Sequence, residues 1–355
     1  MLTALLIATT IAVDTPTVRV EVDSSKHQVT VVVGPFVMPA MPEMLMAGHD
    51  MKGHYTPLYR FIWPIDGWVR GFDVELYDST GQKLNRRLLH HITLLNYDRR
   101  QLISPYVERM FAFGNETKRV MVPKTVGIPM SNGFHMGMYM AWNNTTEHDM
   151  AGTYLHVRLY WMPKNMNPAP ASVLPVALEV RKGQSGPYTA PPGISTKSFE
   201  FTLPVGGRIV GAGGHMHDYG QFLELVDMKS GKTVLHLDAK LDSTGKIHGV
   251  ERTLPGIYGR GIRLKANNPY RVSAQYNNPT GADLVRGAMG AVGIAFVPDN
   301  LSDWPQIVAT DTAWMRDVAW MESLRDRYSM APMDSMGPME GMNHEGTSHE
   351  HEHSP

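Results

Sequence analysis

Apolar and polar positions alternate in short runs along this chain. Val18-Arg19-Val20-Glu21-Val22 alternates strictly, Asp23-Ser24-Ser25-Lys26 supplies turn residues, and Gln28-Val29-Thr30-Val31 resumes, which predicts a hairpin. Phe72 to Tyr77, the turn Asp78-Ser79-Thr80-Gly81 and Leu84 to Leu95 predict a second. Gln221 to Val226 and Thr233 to Leu237 predict a third around Asp227-Met228-Lys229-Ser230-Gly231-Lys232. Further strands fit Phe199 to Leu203, Arg271 to Tyr276 and Ala288 to Val297. Many short strands with Gly, Pro, Asn and Asp at the turns indicate an all-β protein of β-sandwich, jelly-roll-like type.

Prolines cluster between Pro163 and Pro192, with Asn165, Asn167 and a Gly-rich run from Lys182 to Gly186. A linker over 166–189 therefore separates an N-terminal sandwich domain, 17–165, from a C-terminal one, 190–300. A chain of 355 residues is long enough for two such cores. Trp304, Ile307, Val308, Trp314, Val318 and Met321 recur at helix-compatible spacing and predict a helix over 302–328, packed on the second domain. From 330 to 355 there are no large aliphatic residues, so this tail is expected to be disordered.

Composition changes the picture in two ways. A net charge of −1 removes the basic face that a nucleic-acid binder needs. The chain also holds 25 Met and 16 His with 0 Cys, which excludes disulfides and leaves imidazole and thioether as the metal-binding groups. Residues 1–12, MLTALLIATTIA, are too few to span a bilayer and read as the apolar core of a secretory signal ending at Ala12. Export to the periplasm or medium is the expectation, with no integral membrane segment.

Candidate ligands fall in ordered groups. His215 and His217 in Gly213-Gly214-His215-Met216-His217-Asp218-Tyr219 stand at i and i+2, so an extended backbone puts both imidazoles on one side. Asp218 and Tyr219 are placed to orient an imidazole from behind. Met289 lies in an apolar run where core filling is its ordinary role; only a fold can bring it to the histidines. His90 and His91 are adjacent, so on a regular strand they face opposite ways and need a bulge or twist to share an ion. The ordinary alternative is one buried and one exposed histidine. In the tail Met333, Met336, Met339 and Met342, with Met330, precede His344, His349, His351 and His353, a spacing suited to auxiliary copper capture. A second run, Met38, Met41, Met44, Met46, His49, Met51 and His54, reads equally as soft ligands or as adaptable core.

Together these segments resemble the copper type II, ascorbate-dependent monooxygenases, the family of peptidylglycine α-hydroxylating and dopamine β-monooxygenases, as a divergent bacterial-type member. The order is that family's: a His-His pair in the first domain, His-x-His opening the second, and a Met near its end. Arg109-Met110-Phe111-Ala112-Phe113 and Val122-Pro123-Lys124-Thr125-Val126-Gly127 look like the stretch leading to its third first-domain ligand. The resemblance covers roughly residues 65–300. It implies two copper ions, one held by His90 and His91 and supplying electrons, the other held by His215, His217 and Met289 where oxygen meets substrate. It further implies ascorbate or another one-electron reductant.

Three positions depart from the family. No His stands near Trp142-Asn143, where the third first-domain ligand belongs; His135 is the nearest substitute, with His148 and His156 behind it. Gly213 occupies the place of the Arg that meets a substrate carboxylate, and Ala291 and Gly293 replace an Asn and a Tyr. A glycine-extended peptide is therefore a poor substrate, and a smaller or less polar one fits better.

Two functions follow. One is a monooxygenase that hydroxylates a C–H bond of a small molecule with O2 and an external reductant. The other is a non-catalytic exported copper protein for storage, delivery or tolerance, with copper-delivery proteins as partners. The plain alternative is a β-sandwich binding module without metal.

Overall fold

The computed structural model describes residues 16–40, 56–114, 119–181, 186–256 and 260–324. The expected signal segment, most of the 38–54 methionine run and the Met/His tail lie outside those residues; Met38 is described and is fully buried in the first core.

Two tandem β-sandwiches make up the chain. The first contains β1 (Thr17–Asp23), β2 (Gln28–Met38), β3 (Tyr59–Ile62), β4 (Gly67–Tyr77), β5 (Leu89–Arg100) and β6 (Val107–Gly114). It continues with β7 (Val120–Met121), β8 (Val126–Met130), β9 (His135–Trp142), β10 (Met150–Pro163) and β11 (Ala171–Ser172). One sheet runs β1-β2-β10-β4-β8-β11 with β7 on β4, the other β3-β9-β5-β6. Val31, Val33, Val74, Ile92, Met138 and Met140 from the two inner faces form the core.

The second sandwich contains β12 (Leu174–Glu179), β13 (Tyr188–Ala190), β14 (Gly193–Leu203), β15 (Gly207–Met216), β16 (Gly220–Asp227) and β17 (Lys232–Leu241). It closes with β18 (Ile247–Val250), β19 (Ile262–Leu264), β20 (Asn268–Asn278), β21 (Leu284–Ala288) and β22 (Gly290–Pro298). Its sheets are β12-β22-β15-β19 and β14-β20-β16-β17-β18, with β13 paired to β21.

The first and third predicted hairpins form, as β1–β2 and β16–β17. The second does not. Asp78 closes its turn on itself by accepting from Thr80 N and Gln82 N, and a 3-10 turn at Arg86–Leu88 then carries the chain into the opposite sheet. β4 and β5 thus face each other across the core. The linker boundary also moves. Leu174, Val176 and Leu178 alternate inward and pair with β22, so the chain enters the second sandwich at 174. Of the prolines that suggested a linker, Pro163 ends β10, Pro175 lies within β12, and Pro168, Pro187, Pro191 and Pro192 lie in short connections.

After a 3-10 turn at Leu301–Asp303, Pro305 stops the predicted long helix, and helix α1 spans Thr312–Ser323 with Asp311 capping its N-terminus. It packs on the first sandwich, not the second. Trp314 and Met321 join Leu58, Leu95, Val107 and Tyr139. Asp317 takes a forked pair of hydrogen bonds from Arg109 at 2.6 and 2.7 Å and a third from Val107 N at 2.9 Å. The chain end therefore straps both domains together. Trp304 Nε1 donates to Arg100 O (2.9 Å), and β11 runs parallel to β8.

Asp317→Ala leaves the nearly buried Arg109 guanidinium without its counter-charge, and chemical denaturation is expected to show a loss of about 3–5 kcal/mol. A loss well under 1 kcal/mol would mean that the strap does not hold the domains.

Candidate metal centre

The His-x-His pair closes β15, and Met289 sits in the one-residue gap between β21 and β22. β15 and β22 are antiparallel with His215 opposite Ala291 and Met216 opposite Gly290. One further step of that register sets His217 opposite Met289. Met216 points into the core, so His215, His217 and Met289 belong to the opposite, outer face of the sheet.

A tyrosine fixes this arrangement. Tyr276 reaches from β20 across the core of the second sandwich, and its hydroxyl accepts from His217 N (3.0 Å) and from Met289 N (2.9 Å) while donating to Met289 O. Met289's own backbone groups are thereby withdrawn from the ladder, which is why the predicted strand 288–297 breaks there. The acceptor at His217 Nδ1 is Gly287 O at 3.3 Å. A carbonyl can only accept, so Nδ1 carries the proton and Nε2 keeps its lone pair, the tautomer that binds metal. Asp218 accepts from Ile247 N, and Tyr219, at φ +67°, donates its N–H to Gly245 O. Asp218 and Tyr219, expected to orient an imidazole, make these bonds to the 245–247 segment, which hold the turn that follows His217.

The His90-His91 pair meets its geometric requirement through a bulge. Leu89 pairs with Trp142 but His91 pairs with Ala141, a register shift that leaves His90 as the extra residue. The imidazole centroids then lie 5.1 Å apart at 58°, and those of His215 and His217 lie 5.3 Å apart at 88°. Two imidazoles on one ion, with metal–nitrogen distances of about 2.0 Å and a near-tetrahedral angle, have ring centres about 5 Å apart. Both pairs fit.

The two pairs occupy facing surfaces. Ile92 and Met140 point into the first core, so their neighbours His91 and Ala141 point outward, toward the second sandwich. Val126 and Val173 of the first sandwich pack against Val210, Ala295 and Val297 of the second. Further along the same face, Gly293, Ala291 and Gly213 leave a floor almost without side chains. A Cβ on Gly293 would meet nothing nearer than 4.0 Å, whereas one on Gly213 would come 3.4 Å from Arg252 Cγ. The aliphatic stem of Arg252, from a neighbouring segment, thus borders this floor at Gly213.

His91 is half-buried there, and its pKa falls to about 3, first through desolvation, then through the nearby charges of His90 and His215. His215 therefore lies close enough to influence a histidine of the other domain.

His135 is not brought to the pair. It begins β9, six residues from Ala141, roughly 20 Å along the strand. Its Nδ1 lies 3.1 Å from Asp98 Oδ2. His156 stands on β10 in the other sheet with its ring 4.5 Å from that of Tyr77, and His148 is exposed in the loop after β9. Among the described residues no three His, Asp or Glu side chains gather as a chelate. Met289 shares the outer face of His215 and His217 by register. The copper-capture residues of the tail lie outside the described residues. Sequence reading missed Tyr276; its signal was a hydroxyl ending the inward series Val272, Ala274, Tyr276, which demands a buried partner.

No protein-family model matches the chain, and no curated protein does. Among solved structures it is similar to one from Sulfolobus Turreted Icosahedral Virus, at 9% identity over 85% of this chain and 100% of the other, with a TM-score of 0.36. A cowpea mosaic virus top component gives 10% identity over 69% and 90%, TM-score 0.30. The mavirus major capsid protein gives 9% over 83% and 89%, TM-score 0.20. At such scores these likenesses carry no argument about function.

Tyr276→Phe strips two buried N–H groups of their acceptor and is expected to cost about 1–3 kcal/mol in denaturation. If the His215, His217 and Met289 face holds a metal, its affinity should fall with it; an unchanged affinity would show that the hydroxyl does not set the ligand geometry. In the metal-free protein His91 stays neutral while its unfolded form takes up a proton below pH 6.5. Stability is therefore full above that pH and declines as pH falls toward 3. His91→Gln should flatten that part of the profile, as read by urea unfolding at stepped pH.

Proposed function

We propose that the protein is a copper-dependent monooxygenase that hydroxylates a C–H bond of a small substrate with O2 and an external one-electron reductant such as ascorbate. The observation that supports this most strongly is the shared outer face of His215, His217 and Met289, pinned by Tyr276 and turned toward His90 and His91. Two imidazoles with one thioether form a donor set that accepts both oxidation states of copper and favours the reduced one. Copper bound there would supply the one-electron chemistry that reaction with O2 requires.

The chain's own residues do the rest. Gly287 O orients the His217 ring, Tyr276 sets the spacing between ring and sulfur, and the packed contact of Val126, Val173 and Val210 excludes water from one side. Gly213, Ala291 and Gly293 leave room for a compact substrate, with the Arg252 stem at its edge. The working site is that of an exported enzyme, and the Met/His tail acts in loading it. No described helix is long and apolar enough to cross a membrane.

One observation favours a second reading, a non-catalytic copper carrier on the same fold: the first pair has no third histidine beside it. The two readings separate on copper stoichiometry and reductant-dependent oxygen uptake in a variant ending at Ser329. Two tight coppers with substrate-dependent uptake are expected; tight copper without uptake on any substrate would leave the carrier. Met289→Ala should lower Cu(I) affinity by at least about tenfold and abolish turnover with the fold intact. Unaltered Cu(I) affinity would remove Met289 from the site.

A further inference from the structure

A cavity of about 710 Å³ opens at one end of the β1-β2-β10-β4-β8-β11 sheet, the sheet that does not carry the first histidine pair. Lys26 and His27 reach it from the turn before β2, Arg70 from β4, and Tyr160 and Trp161 from the end of β10. Arg119 and Lys124 reach it from either side of β7. No aspartate or glutamate lines it. The whole chain has a net charge of −1, so four full positive charges and an imidazole around one space are a local excess.

Local structure puts the cations there. Leu159 points into the first core, so Tyr160 takes the outer face of β10. Gly71 lets β7 lie against β4 so closely that a Cβ would strike Val120 O. Arg119, just before β7, then stands over the Tyr160 ring, 4.3 Å from its centre. Arg70 donates through Nε and Nη2 to Val122 O at 3.0 and 2.7 Å, which fixes the guanidinium without neutralising it. Lys26 has a counter-ion, Asp23 at 2.8 Å, but Arg70, Arg119 and Lys124 have none among the described residues. Asp73 accepts from Tyr160 OH at 3.2 Å, yet it is shared with Arg158 at 3.5 Å and stays out of the lining. Trp161 is held to His27 by its backbone N–H, 2.9 Å from His27 O, and its indole N–H is buried without an acceptor.

We propose that this cavity binds a small organic polyanion through its phosphate or carboxylate groups. Guanidinium groups match both kinds of oxyanion, and the bonds they make are charge-assisted. Three cations without counter-charge suit an occupant carrying two or three negative charges, and the indole N–H of Trp161 offers one more donor. The volume falls within the roughly 300–1,000 Å³ of small-molecule sites. Met121 and Met162 give the occupant's carbon skeleton an adaptable apolar wall. The site is independent of the copper reading.

The test uses the full chain, freed of metal and held at pH 8 so that the tail histidines are neutral. It is titrated calorimetrically with pyrophosphate and, separately, with citrate. One saturable site is expected for at least one of them, weakened by added salt. The anion bound more tightly tells a phosphate ligand from a carboxylate one. Arg119 and Lys124 are exposed, so Arg119→Gln and Lys124→Gln leave the core untouched. Each should weaken binding by about tenfold or more. Lys232→Gln, which removes the same charge from an exposed position on the second sandwich, should leave it unchanged.

Saturable binding that survives both Arg119→Gln and Lys124→Gln, or that falls equally with Lys232→Gln, would overturn the assignment. So would the absence of saturable binding for both anions. Should Arg119→Gln fail to fold, Lys124→Gln decides alone: undiminished affinity refutes the proposal.

Discussion

A single phenol hydroxyl governs the geometry of the second site. Tyr276 arises in one sheet of the sandwich and spends all its hydrogen-bonding capacity on the other, on His217 N and on both backbone groups of Met289. Met289 thereby leaves the ladder at the point where β21 gives way to β22. The antiparallel register carries the consequence to His215, which lies opposite Ala291 and on the same face. A contact between two loops would leave such a triad free to drift. Here it is tied to a fully buried side chain, and a packed core has few alternative arrangements.

The same logic operates in the first sandwich with a different device. Adjacent residues on a regular strand cannot share a ligand, and the one-residue bulge at His90 removes that obstacle. The bulge lies at the start of β5. The opposite end of the same outer face is occupied by α1 through Trp314, Met321 and the Arg109–Asp317 pair. Helix and histidines thus divide one sheet face between them.

Much of this was legible in the residues. The alternation at 18–31 and 221–237 forecast both hairpins, and His-x-His on an extended segment forecast a shared face. The bulge at His90 was foreseeable as a requirement but not as a fact, because nothing in Leu89-His90-His91-Ile92 specifies where a register slips. The false hairpin at 72–95 shows the limit in another form. Turn chemistry at Asp78 is local, whereas the choice of partner strand depends on which sheet has a free edge. His135 failed as a ligand for the same reason: nearness in sequence to Asn143 runs along a strand, which carries it away. Tyr276 stayed hidden because its significance lies in hydrogen bonds made across the core.

The most direct measurement is a crystal structure of the copper-soaked protein with anomalous data at the copper edge. A peak bonded to His215, His217 and the Met289 sulfur, with a second at His90 and His91, is the predicted result. Copper bound only elsewhere, with the Met289 sulfur turned away from both imidazoles, would contradict the central claim.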